Sequence, residues 1–262
     1  MVVAQRRLVV LSLGGGAAVL ALLAVLVGPG SEQTSFGRDL PAPPDQALDV
    51  GRPKPLSGEA HVSLWTTVRR PVTARSAPTR AASAVANLDR STPEGTANTL
   101  LVLGRREDAG GDVWVRVRLA VLPNGSTGWV PRDAVAGYRS VRTRLVVDLG
   151  RLDVTLFRNG RRVLQARIGV GLPQWPTPRG RFYVRNKLER YRSDFYGPLA
   201  FGTSARSAVL TDWPDGGFVG IHGTNRPELI PGRVSHGCIR MRNPDIVRLG
   251  RLMPVGTPIT IS

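Results

Sequence analysis

One cysteine, Cys238, stands in a chain of 262 residues, which excludes an internal disulfide. An exported domain of this size must then be stable through its hydrophobic core alone. Histidine is nearly as scarce: there are three, and two of them, His222 and His236, bracket the thiol. Lysine is almost absent, with two residues against 34 arginines, and the net charge is +17. The arginines are scattered, with no run of five or more basic residues, so the charge forms no basic tail. An arginine excess of this kind also follows from a G+C-rich coding sequence. No internal repeat is visible, and no acidic residue stands beside the histidines and the thiol; Glu228 and Asp245 are the nearest.

What is present begins with an apolar N-terminus. Arg6 and Arg7 precede an uncharged stretch, Leu8 to Val27, of about twenty residues, which is enough to cross a bilayer core of about 30 Å as a helix. The arginines stay on the cytoplasmic side. Val25, Val27, Gly28 and Pro29 match a cleavage site poorly, which favours an uncleaved signal anchor over a cleaved signal peptide for residues 1–30. Either way the rest of the chain lies outside the cytoplasmic membrane, anchored or secreted. The expected partners of its positive surface are then the membrane and anionic wall polymers, not nucleic acid.

Residues 31–60, with Pro41, Pro43, Pro44, Pro53 and Pro55, have the composition of a semi-extended linker. From 61 to 137 short apolar runs alternate with turn signals. Val113 to Val117 alternates at period two, and Asn124-Gly125 marks a hairpin. Four or five short strands here predict a small barrel. The segment Gly111 to Val117 with Gly128 to Pro131 resembles a bacterial SH3-like domain. Trp114 and Trp129 carry that resemblance, either as core aromatics or as a ligand shelf. Residues 142–262 are also β-rich, with strands at Leu145–Leu149, Leu152–Phe157, Val163–Val170, Phe182–Val184, Phe218–Ile221 and Thr257–Ile261, and a hairpin at Asn159-Gly160. Only Pro244–Leu252 reads as helix, with Asn243 as its N-cap and Ile246, Leu249 and Leu252 or Met253 on one face.

The chemistry concentrates in Gly220-Ile221-His222-Gly223-Thr224 and Ser235-His236-Gly237-Cys238-Ile239-Arg240, with Cys238 sixteen residues after His222. A thiol attacks a carbonyl carbon as the thiolate, and histidine is the side chain suited to take its proton. In an extended segment His236 and Cys238 would share a face, and the amides of Gly237 and Cys238 would serve an oxyanion. Spacing alone does not choose between the two histidines as base.

These motifs, preceded by Val147-Asp148-Leu149, Asn159-Gly160 and Thr177-Pro178-Arg179-Gly180-Arg181-Phe182, resemble the L,D-transpeptidase catalytic domain of YkuD type over about 120 residues. The resemblance implies a mainly β fold, with a β-sandwich-like catalytic domain following the small SH3-like barrel and the N-terminal transmembrane or signal helix. It implies Cys238 as nucleophile, His222 as general base and the Gly223 carbonyl orienting the His222 ring. Ser235, His236, Gly237 and Arg240 would shape the acyl and oxyanion pocket. No cofactor and no metal are implied. The substrates would be peptidoglycan stem peptides, as donor and acceptor. A cysteinyl thioester would pass the donor to an amine and make a 3-3 crosslink, and carbapenems would acylate the same thiol. The chain departs from the family at Arg240, where many members carry asparagine, and in a short stretch from Gly223 to Val234.

Three alternatives are open at this point. Water in place of the acceptor amine would make an L,D-carboxypeptidase. His222, His236 and Cys238 could be three zinc ligands. A non-catalytic wall-binding module would leave the work to the N-terminal segment and the basic surface. Arg240 itself is either a partner for a substrate carboxylate or half of a surface ion pair.

Overall fold

A computed structural model describes residues 61–189, 194–210 and 217–262, all within one compact unit, Leu48–Ser262. The signal segment and linker expected over residues 1–60 lie outside the described residues. Among the described residues no helix is long and apolar enough to cross a membrane.

The first sheet is built of β1 (Ser63–Thr67), β2 (Val72–Arg75), β3 (Ala84–Leu88), β4 (Thr99–Glu107), β5 (Val113–Arg118), β6 (Thr127–Pro131) and β7 (Arg139–Val141). Its order is β3-β2-β6-β5-β4-β1-β7, and its strands pair antiparallel throughout. It takes in Arg139–Val141, which fall between the expected segments 61–137 and 142–262. Gly125, at φ 89°, lets the Asn124-Gly125 turn join β5 to β6. Leu100, Val102, Val115, Val117 and Val130 form its core. Both tryptophans are buried rather than offered as a shelf, Trp114 at 1% and Trp129 at 8% exposure. Trp114 Nε1–H donates to Asp108 at 2.9 Å, which holds that carboxyl below its ordinary range.

The second sheet comprises β8 (Thr143–Asp148), β9 (Asp153–Arg158), β10 (Arg161–Gly171), β11 (Gly180–Glu189), β12 (Leu199–Arg206), β13 (Phe218–His222), β14 (Gly232–Ser235), β15 (Ile239–Met241) and β16 (Pro258–Ile261). Its order is β14-β10-β15-β13-β12-β11-β16-β8-β9, and β9 pairs back to β10, so eight strands close a ring. A sandwich was expected, and closure is the difference. Its cause is strand length. β10, eleven residues long, pairs with β9 through Arg167 and with β14 and β15 from Ile168 onward. β11 likewise passes from β16 to β12 near Val184. Register shifts in both strands supply the bend.

The ring encloses one apolar core, including Leu145, Ile168, Phe182, Phe201, Ile221 and Met241. Helix α1 (Asn243–Leu252) contributes Ile246 and Leu249 to it, as the periodicity predicts. Its N-cap is Arg242, not Asn243. The Asn243 Oδ1 instead accepts the Thr224 N–H at 2.9 Å and ties α1 to the loop after β13. Between the sheets, the buried Tyr183 hydroxyl donates to the Thr99 carbonyl at 2.9 Å, and its burial pushes the phenol pKa up.

Candidate active site

The site follows from a parallel pairing. β13 and β15 run side by side, with Ile221 opposite Ile239 and His222 opposite Arg240. Alternation along both strands then sorts the residues. Val219, Ile221, Ile239 and Met241 go to the core, while Phe218, His222, Cys238 and Arg240 line a cavity on the other face. Gly220 lies in the same row as His222, and its N–H donates to Cys238 Sγ at 3.4 Å. A methyl built on Gly220 would sit 3.9 Å from both Cys238 Sγ and His222 Cδ2. The missing side chain therefore leaves open the space between thiol and imidazole. Residues sixteen apart in sequence become diagonal neighbours through strand pairing alone.

His222 is 1% exposed. Its Nδ1 lies 2.6 Å from the Gly223 carbonyl oxygen, which can only accept, so Nδ1 carries the proton and Nε2 has a free lone pair. Burial pushes the His222 pKa down to about 4, against the Gly223 hydrogen bond, and the Arg240 charge adds to the lowering. A side chain at Gly223 would collide with Asn243 Oδ1 and crowd Gly197 and Pro198, so this close approach requires glycine. Tyr196 meets the imidazole edge-on at 4.7 Å.

Cys238 is half-buried and free. Burial raises its thiol pKa, opposed by the Gly220 N–H and by the Arg240 charge. The segment leading into it is a turn, not the extended strand expected, with Gly237 at φ 114°, a conformation that favours glycine. His236 thus does not share a strand face with Cys238. Its exposed ring packs on Trp175 at 4.2 Å and lies at the cavity rim. Ser235, 1% exposed, holds the turn: its hydroxyl donates to the Cys238 carbonyl at 2.6 Å and accepts the Gly237 N–H at 3.1 Å. The Gly237 amide, read from sequence as an oxyanion donor, is thereby engaged. Thr177, from the Thr-Pro turn, completes the clamp. Its hydroxyl donates to the Gly237 carbonyl at 2.8 Å and accepts the Gly171 N–H at 2.9 Å.

Arg240 is no surface residue. It is 7% exposed, its guanidinium lies 4.5 Å over the Phe195 ring, and its Nε has no hydrogen-bond partner. Burial lowers its pKa, while Cys238 acts to raise it. This burial does not match the surface position weighed from sequence. The zinc alternative also lacks its geometry, because among the described residues no three His, Cys, Asp or Glu gather closely enough to hold a metal ion.

Sequence reasoning missed Thr177 as a clamp, Trp175 as the seat of His236, and Phe195, Tyr196 and Phe218 as cavity walls. Phe218 was within reach, since it shares the period-two row of Gly220 and His222. Phe195 and Tyr196 come from a short 3-10 turn, Asp194–Tyr196, that no strand pattern places beside His222.

Known proteins share part of this chain. The YkuD protein of Bacillus subtilis (strain 168) is 35% identical over 118 residues, 45% of this chain and 65% of that protein. YqjB of the same organism is 52% identical over 94 residues, 33% of this chain and 52% of that protein. The chain thus spans just under two thirds of the YkuD relative's length and about half of YqjB's. Among solved structures, the catalytic domain of the Enterococcus faecium L,D-transpeptidase is 28% identical, covering 46% of this chain and 96% of that one at a TM-score of 0.36. Residues 142–261, the segment that carries His222 and Cys238, match the YkuD family model, the L,D-transpeptidase catalytic domain.

Proposed function

We propose that this protein is a peptidoglycan L,D-transpeptidase in which Cys238 is the nucleophile and His222 the general base. The observation that carries the reading is the placement of Cys238 Sγ and a neutral, carbonyl-locked His222 on either side of Gly220 in one cavity. In the first half-reaction the Cys238 proton passes to His222 Nε2 as Sγ attacks the carbonyl carbon of the third stem residue. The resulting oxyanion is met by the Cys238 amide. The C–N bond to the terminal D-alanine breaks, His222 returns the proton to the leaving amine, and a thioester remains. An amine of a second stem then attacks the thioester, forms the 3-3 amide and restores the thiol. Arg240, cationic and buried beside the sulfur, favours negative charge on Cys238 or on a substrate carboxylate.

The same reading places the catalytic unit at the outer face of the cytoplasmic membrane. Residues 1–30 would serve as signal anchor or signal peptide, 31–60 as linker, and 61–137 as an SH3-like unit. The membrane and anionic wall polymers would be partners of the positive surface.

Intact mass of the full chain after incubation with the carbapenem imipenem, beside the Cys238→Ala variant, tests the nucleophile. One adduct on the parent and none on the variant is expected; no adduct on a folded parent sinks the reading. With disaccharide-tetrapeptide as donor, a crosslinked dimer identifies transfer, whereas release of tripeptide alone identifies an L,D-carboxypeptidase.

A further inference from the structure

The first sheet touches the second at the residues that flank one wall of this cavity. Phe218 stands in the row of Gly220 and His222 and lines the cavity with Cys238. Two guanidinium groups lie over its ring: Arg185 at 3.7 Å and Arg206 at 4.7 Å from the ring centre. Each arginine is fixed by a loop of the first sheet. Arg185, 3% exposed, donates through Nη2 to Glu94 Oε2 at 3.1 Å, from the loop between β3 and β4. The neighbouring Asn186 Nδ2 reaches the same carboxylate at 3.3 Å and Thr96 Oγ1 at 3.1 Å. Arg206 is gripped through its backbone. Its N–H donates to Asn124 Oδ1 at 2.9 Å and its carbonyl accepts Asn124 Nδ2–H at 2.7 Å, so one side chain of the β5–β6 turn acts as a strand neighbour there. The register of β12 against β13 breaks between Gly202 and Arg206 and resumes with Arg206 opposite Phe218, so the ladder alone does not fix this residue.

We propose that the first sheet sets the shape of the acyl pocket: Glu94 and Asn124 are positioning residues that hold Phe218 in place through Arg185 and Arg206. Two loops reaching the same ring through different arginines are more than covering one sheet with another requires. A guanidinium on an aromatic face is held by the ring quadrupole and fixes the ring's orientation. The cavity wall beside Gly220 is thereby rigid before substrate arrives, which is what acylation of a positioned thiol needs. This inference rests on the acyl-transfer reading above.

Its test uses the full chain and two mild variants, Asn124→Ala, in a partly exposed turn, and Glu94→Gln, which keeps the side-chain shape. The rate of Cys238 acylation by imipenem is followed by intact mass, beside alkylation of the same thiol by iodoacetamide, a reagent too small to need the pocket wall. Acylation about tenfold slower in each variant, with alkylation unchanged, is expected. In a Phe218→Leu background the same substitutions should slow acylation no further, because their effect runs through the ring. Acylation as fast as the parent's overturns the inference. So does a slowing that persists in the Phe218→Leu background, or one matched by equal slowing of alkylation, which would be general loosening. A parent chain that takes no adduct overturns the acyl-transfer reading, and this inference with it.

Discussion

His222 has a consequence that depends on its burial. With its pKa held at about 4 in the folded chain against an ordinary 6.5, it is neutral and able to accept a proton throughout the neutral range. The acid limb of acylation against pH should therefore centre near pH 4; a limb near 6.5 would show a solvated imidazole. Stability follows the same group. The unfolded chain takes up the proton first, so the contribution is full above about 6.5 and is lost as pH falls toward about 4. The loss is about 3 kcal/mol, and urea unfolding across that window should show it in the parent and not in His222→Gln. Gly220 gives a second residue-scale expectation. A methyl there would sit 3.4 Å from the Phe201 carbonyl oxygen and 3.9 Å from the sulfur and from His222 Cδ2, all ordinary contact distances. Gly220→Ala should fold with an unchanged thermal midpoint and yet be acylated at least about tenfold more slowly, because the methyl occupies the path between thiol and base.

Among the elements, the turn from β14 to β15 is the one that aims Cys238, and it is held from two sides. Ser235 ties it internally, and Thr177 links it to the end of β10. Both Thr177 contacts are buried, so Thr177→Val would leave the Gly171 amide and the Gly237 carbonyl without a partner, at a cost of about 1–3 kcal/mol. Denaturant unfolding should show that loss, and Thr177→Ser, which keeps the hydroxyl, should recover most of it. A valine variant as stable as the parent would mean the hydroxyl is not the tie.

At the scale of the molecule, the two sheets are joined by buried polar contacts as well as by chain connection. The Glu94–Arg185 pair is 11% and 3% exposed by side chain, and Tyr183 crosses to Thr99. Parting the sheets breaks both contacts together with the packing around them. Calorimetry should therefore show the described unit melting in one transition, and Glu94→Ala should lower its midpoint by leaving the Arg185 charge unpaired, at about 3–5 kcal/mol. Two separate transitions would overturn the coupling.

The sequence alone determined the local elements and the residues on which the proposed chemistry rests. Alternation marked β9 and β13, Asn159-Gly160 marked the hairpin into β10, where both residues take positive φ, and the spacing of Ile246 and Leu249 marked the buried face of α1. A lone thiol near two histidines likewise singled out Cys238. These are properties of side-chain period and turn chemistry, which act over a few residues. What only the tertiary structure decided is everything that depends on pairing between distant segments. The parallel register of β13 and β15 chose His222 rather than His236 as the neighbour of the gap beside Cys238, and it buried Arg240. The positive φ of Gly237 turned the expected strand into a bend, and long strands with shifted register closed the ring. Strand order and register are set by the summed burial of both faces across the whole core, a quantity that no local stretch of sequence carries.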